Sequence, residues 1–161
     1  MFEKKITKSV YDWLDEYGDS HQNYYNEVIH WICVPLIIFS VLCLLWIIPT
    51  PKLFEHFYVT INWCILFITI SLIYYLLLSV KLAIAISAFA FFLTYLIYLI
   101  EQSDLSLYLV SIGMFVVGWI GQFIGHLIEG KRPSFAQDLQ FLMIGPIWLI
   151  ASLYRRLNIS F

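Results

Sequence analysis

"SHQNYYNEVIHWICVPLIIFSVLCLLWII", residues Ser20 to Ile48, decides the fold. Its second part, Trp31 to Ile48, holds no charged residue. A helix needs about 20 apolar residues to cross a bilayer core, so this run reads as a membrane span. Its first part crowds His21, Gln22, Asn23, Asn26, Glu27 and His30 just ahead of the span. Polar and ionisable groups in such a place are expensive, and by default they mark a functional site.

Outward from this stretch the apolar signal recurs. Tyr58 to Leu78, Leu82 to Ile100 and Leu105 to Ile128 are each of span length. Only Ser79-Val80-Lys81 separates the first two of these, which predicts a tight helical hairpin. Phe141 to Tyr154 is shorter and contains Gly145-Pro146. It reads as a kinked crossing or as a segment that dips in and returns, and crossing is the expectation. At the other end of the chain, Ile6, Val10, Trp13, Leu14 and Tyr17 recur at helical spacing among Lys4, Lys5, Lys8, Asp12, Asp15 and Glu16. Residues 1–18 are therefore expected to form an amphipathic helix on the membrane surface. The predicted fold is all-α: one integral-membrane domain over 1–161, a polytopic helix bundle with about five membrane segments (31–48, 58–78, 82–100, 105–128, 141–154).

Composition agrees. The chain is 61% hydrophobic and 12% charged, against about 25% charged in soluble domains, which excludes an ordinary water-soluble fold. A net charge of −2 gives no electrostatic footprint for nucleic acid. No signal peptide is expected. Cys33, Cys43 and Cys64 lie in apolar runs without a CxxC pair, and read as buried free thiols.

Counting crossings sorts the polar residues. His30 opens the first span, and the fourth brings His126 back to the same end, where His21 and Lys81 also fall. His56, in the Pro49–Phe57 loop, and Glu101 to Asp104 fall at the other end. The histidine end carries Lys4, Lys5, Lys8, Lys81, Lys131 and Arg132, six cations. The far end carries Lys52, joined by Arg155 and Arg156 if the last segment crosses. If it returns instead, the division is eight to one. Either way the positive-inside rule makes the histidine end cytoplasmic, in a bacterial inner membrane or an endoplasmic reticulum.

Asn23, Asn26, Glu27 and His30 share one helical face. His21 is nine residues before His30, half a turn off and about 13.5 Å away along a straight helix. Either the helix breaks between them or His21 has another job. The second polar cluster is "GWIGQFIGHLIEGKRP", Gly118 to Pro133. There Gln122, His126 and Glu129 share a face, and Gly118, Gly121 and Gly125 form a small-residue strip that lets another helix come close. Imidazole with carboxylate suits non-haem Fe(II), Zn or Mn, and three histidines at one end supply one ion. Two other readings stay open: a haem-binding electron carrier with His30 and His126 as axial ligands, and a non-catalytic scaffold whose polar groups only join helices. Glu27 and Glu129 could also pair with Lys131 or Arg132.

"SHQNYYNEVIHWICVP" and "GQFIGHLIEGKRPSF", with the span pattern between them, resemble the two signature stretches of the Mpo-type membrane 2-hydroxy fatty acid dioxygenases. The resemblance covers most of the chain; one departure is Cys33, where a small residue is expected in relatives. It implies Fe(II), O2 and a long-chain 2-hydroxy fatty acid cleaved between C1 and C2, giving the one-carbon-shorter acid. Its implied metal residues are His21, His30 and His126, with Glu129 as a further candidate ligand or as support for a histidine. Asn26, Gln122 and Glu27 would stand beside them, and Lys131 or Arg132 would attract the substrate carboxylate. Chain-length preference and oligomeric state are left open.

Overall fold

The computed structural model describes residues 9–19, 21–51, 61–130 and 143–161. Among these there are six helices and no strand: α1 Val10–Gly18, α2 Tyr24–Ile47, α3 Trp63–Leu78, α4 Val80–Glu101, α5 Leu107–Glu129 and α6 Ile144–Arg156. His56, Lys131, Arg132, residues 1–8 of the expected surface helix and the first residues of the 58–78 and 141–154 segments lie outside the described residues. Three helices, α2, α4 and α5, are long and apolar enough to cross a membrane; α3 is apolar but has 16 described residues.

Each boundary has a local cause. Ser9 and Asp12 form a reciprocal capping box at the start of α1. Asn23, Asn62 and Ser106 turn their side-chain oxygens onto the first-turn amides of α2, α3 and α5. Ser79 alone separates α3 from α4: its extended backbone ends one helix, and its hydroxyl caps the next. That makes the hairpin tighter than the three-residue break expected. Gly130, at φ 74°, closes α5 in the left-handed region that favours glycine.

α2 and α5 form the central pair. A Cβ on Gly118, Gly121 or Gly125 would overlap Ile37, Cys33 or Asn26 respectively, so the missing side chains set the approach of the two helices. Cys33, the departure from the expected small residue, is accommodated by Gly121 opposite it. α1 buries Val10, Leu14 and Tyr17 in a cluster that includes Ile144, Ile147 and Trp148 of α6. It therefore covers one end of the bundle, with its polar residues outward.

The last helix departs from expectation. The Tyr75 hydroxyl, near the C-terminal end of α3, donates to the Met143 carbonyl at 2.8 Å, just before α6. At the other end of α6, Arg156 lies 2.5 Å from Glu27 and the Tyr154 hydroxyl donates to the Lys81 carbonyl at 3.2 Å. Tyr75, Glu27 and Lys81 all belong to the histidine end, so both ends of α6 are held there. Thirteen residues make a helix of about 20 Å, short of the ~30 Å core. Arg155 and Arg156 thus lie near Asp15 and Glu27 at the histidine end, the arrangement expected of a segment that returns rather than crosses.

Candidate metal centre

Three segments converge where α2 begins and α5 ends. α2 starts only at Tyr24, so His21 stands ahead of it on the connection from α1. This is the break that a single straight helix would have forbidden. His21 stacks edge-on to His30, with ring centroids 4.2 Å apart. His126 lies 5.1 Å from His30 and 5.6 Å from His21 by the same measure. All three side chains are buried, and one nitrogen from each ring lies within 4.8 Å of the others.

Two of the rings are oriented by main-chain carbonyls. His21 Nδ1 is 2.6 Å from the Tyr17 carbonyl, and His30 Nδ1 is 2.9 Å from the Asn26 carbonyl. A carbonyl can only accept, so each Nδ1 carries a proton, and in the neutral ring each Nε2 is left as the lone-pair nitrogen. Metal-binding imidazoles are held in this way, with the second nitrogen fixed by a hydrogen bond. Three imidazoles within a few ångströms suit a divalent transition metal by donor type. The donor set fits Fe(II) or Zn(II) with coordination positions left over for other ligands.

Glu129 does not join the three imidazoles. One carboxylate oxygen accepts from the Gln22 amide at 2.8 Å; the other accepts from the Asn23 amide at 2.9 Å and the Asn26 side chain at 3.0 Å. The carboxylate thus ties the last turn of α5 to the N-terminal end of α2, where exposed amides and the helix dipole favour an anion. His21, one residue before Gln22, and His126, one turn before Glu129, are held in register by this clamp. Glu27 points away. It pairs with Arg156 and accepts from the Trp31 indole at 3.4 Å, and the Arg156 guanidinium lies 5.6 Å from the Trp31 ring centroid. Gln122 is buried one turn before His126 on α5.

Sequence reasoning missed three participants. Tyr17 stacks flat on His21, with centroids 4.2 Å apart and planes 7° apart, besides lending it a carbonyl. Trp148 of α6 lies 5.3 Å from both rings and closes the site. Arg156 takes Glu27. Tyr17 lies one turn before His21, a spacing the sequence does display. Nothing in the sequence brings Trp148 to His21, because that contact depends on where α6 packs.

An all-helical bundle with span-length helices and a buried trio of imidazoles at one end has the architecture of a helical membrane protein with a histidine-rich centre. The chain belongs to the Mpo1-like family: residues 7–157 match the family model described as 2-hydroxy-palmitic acid dioxygenase Mpo1-like. It is similar to the 2-hydroxy-palmitic acid dioxygenase MPO1 of Saccharomyces cerevisiae, 31% identical over 132 residues, covering 81% of this chain and 71% of the yeast protein. No solved structure matches it.

Proposed function

We propose that this protein is a membrane-embedded, iron-dependent dioxygenase that shortens 2-hydroxy long-chain fatty acids by one carbon. The observation that carries the reading is the convergence of His21, His30 and His126 within 4.8 Å in a chain of the Mpo1-like family. These three side chains would hold one ion. Fe(II) bound there would supply O2 activation and Lewis-acid polarisation of a hydroxy acid, the chemistry of non-haem oxygenases.

The chain's own residues do the rest. The Tyr17 and Asn26 carbonyls hold two rings in one tautomer. The Glu129 clamp sets the distance between the α2 and α5 contributions. Tyr17 and Trp148 wall off His21 from water on the α1 and α6 side. Lys131 and Arg132 follow α5 directly and are proposed as counter-charges for the substrate carboxylate. A site at the cytoplasmic boundary suits an amphiphile whose head rests there and whose tail lies among apolar helices.

The electrons balance without a reductant. One 2-hydroxy acid and one O2 give the one-carbon-shorter acid, CO2 and water. The test is metal analysis of the purified protein, followed by incubation of the Fe(II)-loaded form with a 2-hydroxy long-chain acid and O2. One equivalent of iron and the shortened acid, formed one-to-one with O2 consumed, are expected; a folded, iron-loaded protein that yields no such product would refute the assignment. The haem reading is disfavoured sterically, because the His21 ring packs against both His30 and His126 where a planar macrocycle would have to pass. A scaffold without chemistry would bind no stoichiometric metal.

A further inference from the structure

α4 packs chiefly against α3 and α6 and barely meets α2, so a cleft opens between α2 and α4 among the described residues. Toward the histidine end its walls are Trp31 and Pro35 of α2, Ala85 and Phe89 of α4, and Leu149 and Leu153 of α6, around a volume of about 290 Å³. Further from that end the walls include Leu36, Phe92, Leu96, Ile100 and Met114, around about 490 Å³. Pro35 and Phe89 line both parts, so the two run into one another. Apolar clefts of this size are where ligands bind.

The cleft suits one extended chain. Along α4 it runs from Ala85 to Ile100, about 22 Å at the helical rise. Half of a bilayer core, the depth that an acyl tail spans, is about 15 Å, so a long tail is accommodated whole. No charged residue lines it, and Phe92 and Leu99 on its rim are exposed toward lipid. A tail can therefore enter sideways without meeting water. Polar groups gather at the histidine-end mouth. There the Arg156 guanidinium lies 5.6 Å from the Trp31 ring centroid and engages Glu27 through one of its nitrogens, leaving further N–H donors. Tyr154, also in the wall, donates to the Lys81 carbonyl, and the Lys81 ammonium donates to the Ser160 carbonyl at 2.6 Å. An apolar cleft with cations at one end is complementary to a carboxylate on a long alkyl chain. The mouth adjoins the imidazole centre: Trp31 follows His30, and Leu149 follows Trp148, which packs on His21.

We infer that the cleft between α2, α4 and α6 binds the acyl chain of a long-chain carboxylic acid drawn from the bilayer, tail toward Ile100 and head at the Trp31–Arg156 mouth. The dioxygenase reading supplies the identity of that acid, a 2-hydroxy fatty acid. The cleft adds where its tail is held and which residues meet its length. A tail that ends at Phe89 occupies the first part alone, and a longer one passes on to Leu96 and Ile100.

The experiment is photolabelling of the full-length, iron-loaded protein in phosphatidylcholine nanodiscs, under nitrogen so that nothing is turned over. 2-Hydroxy acids of two chain lengths carry a diazirine at the tail end, and adducts are mapped by mass spectrometry. The shorter acid is expected to mark α4 near Phe89 and the longer one near Leu96 and Ile100. A phosphatidylcholine with the same diazirine tail is expected to mark the exposed Leu77, Leu109 and Val117, which lie outside the cleft. Ala85→Phe fills the mouth and should lower cleft adducts about tenfold, the effect of displacing two buried methylenes. Ala88→Phe, exposed on the same helix outside the cleft, should leave them unchanged. The free acid should compete about three- to tenfold better than its methyl ester, and Arg156→Gln should remove that preference. Adducts scattered over the outer faces whatever the chain length, or a cleft labelled equally by phosphatidylcholine, would overturn the inference and leave the dioxygenase reading standing. Length-dependent cleft adducts in a protein that never yields the shortened acid would uphold the cleft and refute that reading.

Discussion

Single side chains divide into those that hold the site and those that only neighbour it. Glu129 accepts three hydrogen bonds, two of them from backbone amides at the start of α2. In Glu129→Gln one oxygen becomes an NH2 facing donors. A loss of about 1–2 kcal/mol in stability against denaturant is expected, with iron affinity about 10- to 100-fold weaker because His21 hangs on the clamped segment. Glu27→Gln is the control: its partner Arg156 is well exposed, so a change within about 1 kcal/mol and unaltered iron affinity are expected. His126→Ala should abolish stoichiometric iron while the far-UV circular dichroism stays helical; retention of a full equivalent would exclude His126 as a ligand. The sequence displays the histidines and Glu129, but not their division of labour. Asn26 shows why: its carbonyl orients His30, a service any residue at that position could give, whereas its side chain serves Glu129.

Between helices, the α2–α5 contact is governed by absent side chains. A Cβ on Gly125 would collide with the Asn26 side-chain oxygen and lie 3.2 Å from the His30 ring. Gly125→Ala should therefore push α5 off α2, lowering stability by about 1–3 kcal/mol and weakening metal binding. Gly113→Ala, on the same helix with nothing within 4 Å, should be neutral or gain up to about 1 kcal/mol from helix propensity. Thermal midpoints of the two variants in one detergent give the comparison. The glycine strip was visible as a spacing of four and three residues, because close approach of membrane helices demands small residues on one face. The course of α6 was not visible. Gly145-Pro146 in a short apolar run fits a kinked crossing and a return equally well. The choice is made by Tyr75, Glu27 and Lys81, which lie 68, 129 and 73 residues from their partners.

For the molecule as a whole, topology is the testable quantity. Gln22→Cys, Asp104→Cys and Ser160→Cys can each be labelled with a membrane-impermeant maleimide in oriented vesicles, against the buried native thiols. Positions 22 and 160 should react from one side and 104 from the other. Labelling of 160 together with 104 would restore a crossing for the last segment. The meeting of His30 and His126 at one end of the bundle was legible from the order of the apolar runs; the cap of α1 and α6 over the site was not, because it is tertiary packing between segments distant in sequence. The distance along the chain between the two imidazoles carries its own consequence for biogenesis. His30 leaves the ribosome well before His126 does, by roughly 5–20 s at ordinary elongation rates. During that interval the nascent first span must sit in the translocon or the bilayer with Asn26 and His30 lacking the α5 neighbours that later enclose them. The centre can therefore form only once the last long helix has been released, and an insertion factor that shelters polar spans would act in that window.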